Sequence, residues 1–143
     1  MRILIITLLI IAFCLQVPAQ KKAGAITGTW LNLTGEAQIN IYKKQGKYFG
    51  KIIWLKTPDD KAGKPLTDRN NIDPKLKSRL LLGVELLKNL SSADGRTFED
   101  GTIYDPKSGK IYSCEMTLSQ NTLKVSGYLG MFVGRTEIWK RVK

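Results

Sequence analysis

A chain of 143 residues carries 23 Lys and Arg against 12 Asp and Glu, a net charge of +11, and has no histidine. That length fits one domain with one core and leaves no room for a second. A cysteine or serine nucleophile needs a base, usually histidine, so the commonest acyl-transfer chemistry lacks its partner.

The first residues change every later reading. Met1-Arg2 is a short positive start, Ile3 to Leu15 is apolar except for Thr7, and Val17-Pro18-Ala19 offers small or apolar residues for a signal peptidase. This is the pattern of a secretory signal peptide, expected to be cut after Ala19. The run of 13 residues is short for a transmembrane anchor, which needs about 20. A lipoprotein signal would acylate Cys14, but Phe13 stands where that enzyme requires a small residue. The expected organisation is therefore a signal peptide over 1–19 and one β-barrel domain over 20–143, in the periplasm or secreted. Cys114 then remains alone in an alternating run, as a buried and inert thiol, and stability must come from packing. For an exported basic protein, nucleic acid is not the natural partner. Anionic lipid headgroups or acidic envelope glycans suit the charge, with contact at a membrane surface, and plain solubility is the alternative.

From Gln20 to Ala25 the chain reads as a loose basic lead-in. Gly28-Thr29-Trp30-Leu31 opens a first strand, and Gly35-Glu36 turns it. Ala37, Ile39 and Ile41 alternate with polar residues in a half-buried second strand. Gln45-Gly46-Lys47 is a hairpin connection. Tyr48 to Leu55 is a third strand with apolar residues on both faces, which predicts a core on one side and a cover on the other. The stretch from Lys56 to Leu82 then interrupts the strand pattern and holds three of the five prolines. A break that long in a small domain is usually functional or flexible. Within it, Asp73-Pro74 starts a single helical turn, with Asp73 as cap.

Gly83 to Leu90 reads as a fourth strand, although its leucines would also suit a short helix. Arg96 to Tyr104 is a fifth strand, and Gly101 inside it marks a bulge or a barrel bend. Asp105-Pro106-Lys107-Ser108-Gly109 is a hairpin loop. In Lys110 to Leu118, residues Tyr112, Cys114, Met116 and Leu118 face one way. Thr122 to Leu129 turns Leu123, Val125 and Leu129 inward, with Gly127 among them. Gly130 and Gly134 bracket the last connection, and Arg135 to Val142 is the final strand. About eight antiparallel strands, each beside its sequence neighbour, predict an all-β fold. A small closed barrel would remove exposed edges and could hold one small ligand; a sandwich is the alternative.

Gly28-Thr29-Trp30 at the first strand resembles the Gly-x-Trp of lipocalins and their relatives. There a basic residue on the last strand packs across the tryptophan, and Arg135 or Arg141 could do so here. A second resemblance covers nearly the whole exported part. It rests on Gly28-x-Trp30, Gly46 to Ile52, Pro65-Leu66-Thr67-Asp68 with Asn70, Asp73-Pro74, Arg79 and Leu82-Gly83. It continues through Tyr104-Asp105-Pro106, Ser108-Gly109-Lys110, Tyr112, Gly127-Tyr128, Gly134-Arg135-Thr136, Trp139 and Arg141. The chain is similar in these to the bacterial family called domain of unknown function 2147, with Phe98 where a tryptophan would be expected. The resemblance implies an exported, small β domain and no particular activity.

The long break is the expected site. Leu66, Ile72, Leu76, Leu80 and Leu82 are too many apolar groups for a free loop, so Pro65 to Gly83 is expected as an ordered cover over one end of the barrel. Asp68, Asn70 and Asp73 offer acceptors for backbone groups of the loop, and Lys75, Lys77 and Arg79 would project at its rim. Asp68, Asn70, Lys75, Lys77 and Arg79, together with Arg135, are the expected ligand-binding residues. Gly28, Trp30, Asp105, Pro106 and Trp139 are expected to be structural. Asp68 to Asp73 resembles a calcium loop but lacks its glycine and distal glutamate, so no metal is expected. No paired carboxylates converge, so neither an enzyme nor a cofactor is expected. Arg135, Glu137 and Trp139 share one face of the last strand, and whether it faces inward is open. The functional reading is a non-enzymatic binder of a small amphiphile or lipid-like ligand. A solid envelope protein presenting residues 56–83 to a partner is the alternative, and a cavity separates the two.

Overall fold

A computed structural model describes residues 25–143. The expected signal peptide and the lead-in from Gln20 to Gly24 lie outside the described residues. Eight antiparallel strands close into a barrel in sequence order: β1 Gly28–Leu31, β2 Ala37–Lys44, β3 Lys47–Leu55, β4 Glu85–Leu90, β5 Thr97–Asp105, β6 Lys110–Ser119, β7 Thr122–Leu129 and β8 Phe132–Arg141. The seam between β1 and β8 is short, pairing Trp30 with Arg141 and Leu31 with Lys140.

Alternation explains the strands. In β6, Cys114, Met116 and Leu118 are buried while Ser113, Glu115 and Thr117 are exposed; β2 alternates likewise between buried and half-buried residues from Ala37 to Tyr42, and β7 alternates as far as Val125. Two-residue turns do the rest. Gln45 and Gly46 both adopt positive φ, 50° and 75°, as a hairpin whose twist must match its strands requires. The register of β5 breaks between Phe98 and Gly101. A Cβ on Gly101 would lie 2.5 Å from the Lys88 carbonyl oxygen and 2.4 Å from Leu90 Cγ, so this bulge is a close approach of backbones.

Two expectations about strands need correction. Gly134 does not end the last connection. The β7–β8 turn is Gly130-Met131, and the register jumps from Gly127–Arg135 to Tyr128–Val133, so Gly134 is the extra residue of a bulge within β8. The outer face of β3 is also not covered: Ile53 and Trp54 are 41% and 40% exposed. Trp54 is on the outside because Ile53 is the extra residue of a bulge opposite Gln38 and Ile39, which pairs Trp54 with Gln38 instead of continuing the inward row of Gly50 and Ile52.

The core fills one half of the barrel. Trp30, Leu90, Phe98, Met116, Leu118 and Leu123 are buried there, with the Tyr48 ring edge-on to Phe98 at 4.9 Å. The Trp30 indole donates to the Ile26 carbonyl at 2.8 Å. The Arg141 guanidinium lies 4.3 Å above its ring and donates to the carbonyls of Thr27 and Ala25. A Cβ on Gly28, which has φ 131°, would meet that guanidinium at 3.1 Å. The Gly-x-Trp pattern is thus one closing device: glycine leaves room for the arginine, and arginine covers the tryptophan. Of the two arginines that could have done this, Arg141 does it. Cys114 is buried, and loss of water around it pushes its thiol up to about 12, which leaves it unreactive.

Candidate functional site: the open end of the barrel

The strand directions put four connections at the other end: residues 32–36, the long loop 56–84, the hairpin 106–109 and the turn 130–131. Between them the barrel interior is not filled. A cavity of about 390 Å³ runs inward from this mouth. Its apolar wall comes from the inward faces of the strands, with Ile39, Ile52, Leu86, Ile103, Val125 and Trp139, and Leu81 of the long loop completes one side.

Polar groups gather at the mouth. Arg135 Nε meets Glu137 Oε1 at 2.8 Å, and the Trp139 indole donates to Glu137 Oε2 at 2.9 Å. All three line the cavity, so this face of β8 points inward. Glu137 has 18% of its side chain exposed and both oxygens engaged, so its charge is compensated where it sits. Across the mouth, Lys107 pairs with Glu36 at 2.9 Å and joins the 106–109 hairpin to the 32–36 loop. The Lys107 ammonium holds the Glu36 carboxyl below the usual carboxylate range, helped by the Thr34 hydroxyl. Both partners are more than half exposed, so this pair adds little stability.

The long loop is ordered and folds over one side of the open end. A short ladder runs through it, with Asp68 N–H donating to the Arg79 carbonyl at 3.0 Å and Leu81 N–H to the Leu66 carbonyl at 2.9 Å. Asp73 caps the expected turn, Pro74–Leu76, by accepting from Lys75 N–H at 3.0 Å. The apolar groups expected to hold the loop do not, however. Ile72, Leu80 and Leu82 are 87%, 55% and 49% exposed, Leu76 is exposed too, and Leu66 is half-buried. The anchor is polar. Asp68 has 0% of its side chain exposed, and it accepts from the Tyr104 hydroxyl, from Asn71 Nδ2 at 2.8 Å and from Arg79 Nη2 at 2.7 Å. Burial and the neighbouring Asp68 carboxylate push the Tyr104 hydroxyl up to about 12.

This relocates most of the expected site. Asp68 and Arg79 form the latch, and neither lines the cavity. Asn70 holds the neighbouring hairpin, its amide donating to the Pro106 and Lys107 carbonyls at 3.1 Å each. Lys75 and Lys77 are exposed on the loop, outside the cavity wall. Only Arg135 of the six expected ligand-binding residues lines the cavity. Asp105 shapes the 106–109 hairpin, accepting from Lys107 N–H at 3.0 Å and from Ser108 Oγ at 2.8 Å. Pro106 and Trp139 combine that structural role with a place in the cavity wall.

Sequence reasoning missed Glu36, Tyr104, Lys107 and Tyr112 as lining residues. Tyr112 and Glu137 carried a usable signal, since each puts a polar atom on an otherwise apolar inward face. The arrangement can hold an apolar body with a polar group at its rim. No group of three or more His, Cys, Asp and Glu able to hold a metal occurs among the described residues.

The comparisons agree with the fold. A solved structure described as "Protein HP1028 from the human pathogen Helicobacter pylori belongs to the lipocalin family" superposes with a TM-score of 0.68, at 24% identity over 82% of each chain. That likeness is one of fold. Comparison with curated proteins gives no match. The sequence model of the family described as "Uncharacterized protein conserved in bacteria (DUF2147)" matches residues 28–141. The chain belongs to this family, built here as a closed lipocalin-like barrel of eight antiparallel strands.

Proposed function

We propose that the protein is a non-enzymatic binding protein for a small amphiphile, acting in the cell envelope after export. The observation that carries this is the cavity of about 390 Å³ with an apolar wall and a charged mouth. Small-molecule sites occupy roughly 300–1,000 Å³ and combine apolar walls with a few placed polar groups. The volume sits at the low end, which suits a single apolar chain or ring system. It also speaks against the alternative of a solid barrel.

The mouth refines the chemistry of the headgroup. Its charged lining residues are Arg135 and Lys107 against Glu36, Asp105 and Glu137. Both cations already face a carboxylate. A headgroup that both donates and accepts hydrogen bonds fits this mouth better than a bare anion would.

A plug tests the reading. A Cβ on Gly127 would meet Tyr112 Cβ at 3.4 Å and Ile103 Cγ2 at 3.6 Å, ordinary contacts inside the cavity wall. Gly127→Leu therefore extends into the cavity. Titration with a fluorescent fatty-acid analogue should show one saturable site in the native protein and at least about tenfold weaker binding in the variant, with the fold kept by circular dichroism. Equal affinity in both would remove the cavity from the function. Export has its own support in the Met1 to Ala19 pattern. N-terminal sequencing of protein recovered from its own host should begin at Gln20, and an intact Met1 in the membrane fraction would contradict it.

A further inference from the structure

Large apolar side chains are exposed very unevenly on this barrel. The turns at the closed end, 45–46, 91–96 and 120–121, contain none. At the open end, Met131 and Phe132 at the β7–β8 turn are 96% and 81% exposed, Leu33 of the 32–36 loop is 59% exposed and Ile72 of the long loop is 87% exposed. A scattered exposed apolar residue needs no explanation, but a set gathered at one end of a molecule marks an interaction surface.

We propose that the open end docks on an anionic lipid bilayer, with Met131 and Phe132 as the inserting tip. Three observations choose a bilayer over a protein partner. The apolar groups stand on separate loops around a mouth, as individual protrusions rather than one continuous groove. The same four connections carry eight Lys and Arg against five Asp and Glu, and Lys75 and Lys77 lie exposed beside Ile72 and Leu76. Apolar tips among lysines match a surface whose headgroups are negative and whose interior is apolar. The third is continuity, since the surface surrounds the opening of the cavity. Docking itself stands on the exposed groups. That an amphiphile would pass between bilayer and cavity through the docked mouth rests on the ligand reading above.

The test uses the whole purified protein and two vesicle compositions, phosphatidylglycerol mixed with phosphatidylethanolamine, and phosphatidylcholine alone. Co-sedimentation should occur with the first and weaken with the second. The double variant Met131→Ser, Phe132→Ser should reduce binding to the anionic vesicles by about tenfold or more. Neither residue lines the cavity, so binding of the fluorescent fatty-acid analogue should be unchanged, which separates failure of docking from failure of the ligand reading. In Phe132→Trp, fluorescence quenching by brominated lipid should exceed that of the native protein. The proposal is overturned if the double variant binds as the native protein does, since attraction would then be by charge alone. It is overturned equally by absence of vesicle binding. A dimer in sedimentation velocity that the double variant abolishes would assign the surface to a second copy of the chain and overturn it too.

Discussion

Trp30→Ala should lower the unfolding free energy by about 3–5 kcal/mol, the usual cost of truncating a buried aromatic ring to a methyl. The indole is 0% exposed, donates to the Ile26 carbonyl and carries the Arg141 guanidinium on its face. Truncation opens a void in the filled half of the barrel and leaves the Ile26 carbonyl without its donor. It also leaves Arg141 without the ring that holds it over the carbonyls of Ala25 and Thr27. Because β1 pairs with β8 at only Trp30–Arg141 and Leu31–Lys140, the loss falls on a short seam of the barrel. The melting temperature should fall by roughly 12–25 °C. Trp54→Ala, which removes a half-exposed indole from the outer wall, is the control and should shift it far less. If the alanine variant does not fold, Trp30→Phe supplies a smaller decrement on the same axis. A variant at native stability that had merely lost its ligand would show that Trp30 belongs to the binding site instead.

The contrast between the two ends explains what the sequence could reveal. The closed end is built from local patterns. Alternation in β2, β6 and β7 gives the inward face directly, Gln45-Gly46 gives a turn, and Gly28-x-Trp30 gives the closing tryptophan. The choice between Arg135 and Arg141 was not local, because it depends on how far β8 runs past β1. The bulge at Gly134 hid this by making the strand seem to start late. The mouth is harder to read because its polar contacts join residues far apart in the chain. Glu36 meets Lys107, and Asp68 meets Tyr104. Neither spacing belongs to a helix or a strand, so no periodicity announces them. The charged residues of the long loop drew attention as a rim for that reason. Asp68 instead meets Tyr104, Asn71 and Arg79, while Lys75 and Lys77 stay exposed.

Gly109 shows how tightly that hairpin and the loop meet. Its φ is 72°, and a Cβ there would fall 1.9 Å from the Asn70 carbonyl oxygen. Glycine is therefore needed both for the turn and for the contact. The Asn70 amide then closes the same junction from its side. The loop is pinned at two neighbouring points, Asn70 on the hairpin and Asp68 on Tyr104, while Ile72 and Leu80 remain in solvent. A loop anchored by polar contacts can leave its apolar groups outside.

Asp68→Ala should release that anchor and cost about 3 kcal/mol. The carboxylate is fully buried, and its loss leaves the Tyr104 hydroxyl and the Asn71 amide without their acceptor. Arg79 suffers less, because 35% of its side chain already reaches solvent. The effect should be concentrated in the loop, since Asp68 touches no strand of the filled core except through Tyr104. Trypsin under native conditions reads this at Lys75, Lys77 and Arg79. Cleavage governed by the open population should accelerate by up to roughly a hundredfold, as a change of that size in opening free energy implies. Equal cleavage rates in variant and native protein would mean that the latch does not hold the loop. Alkaline titration gives a second reading. Tyr104 is raised from 10.0 to about 12 by burial and then by Asp68. Its contribution to stability is full below pH 10 and is lost as pH rises through 12. Without Asp68 part of that elevation disappears, so the variant should lose less stability than the native protein between those two pH values. A parallel loss in both would place the cause of the tyrosine's elevation in burial alone.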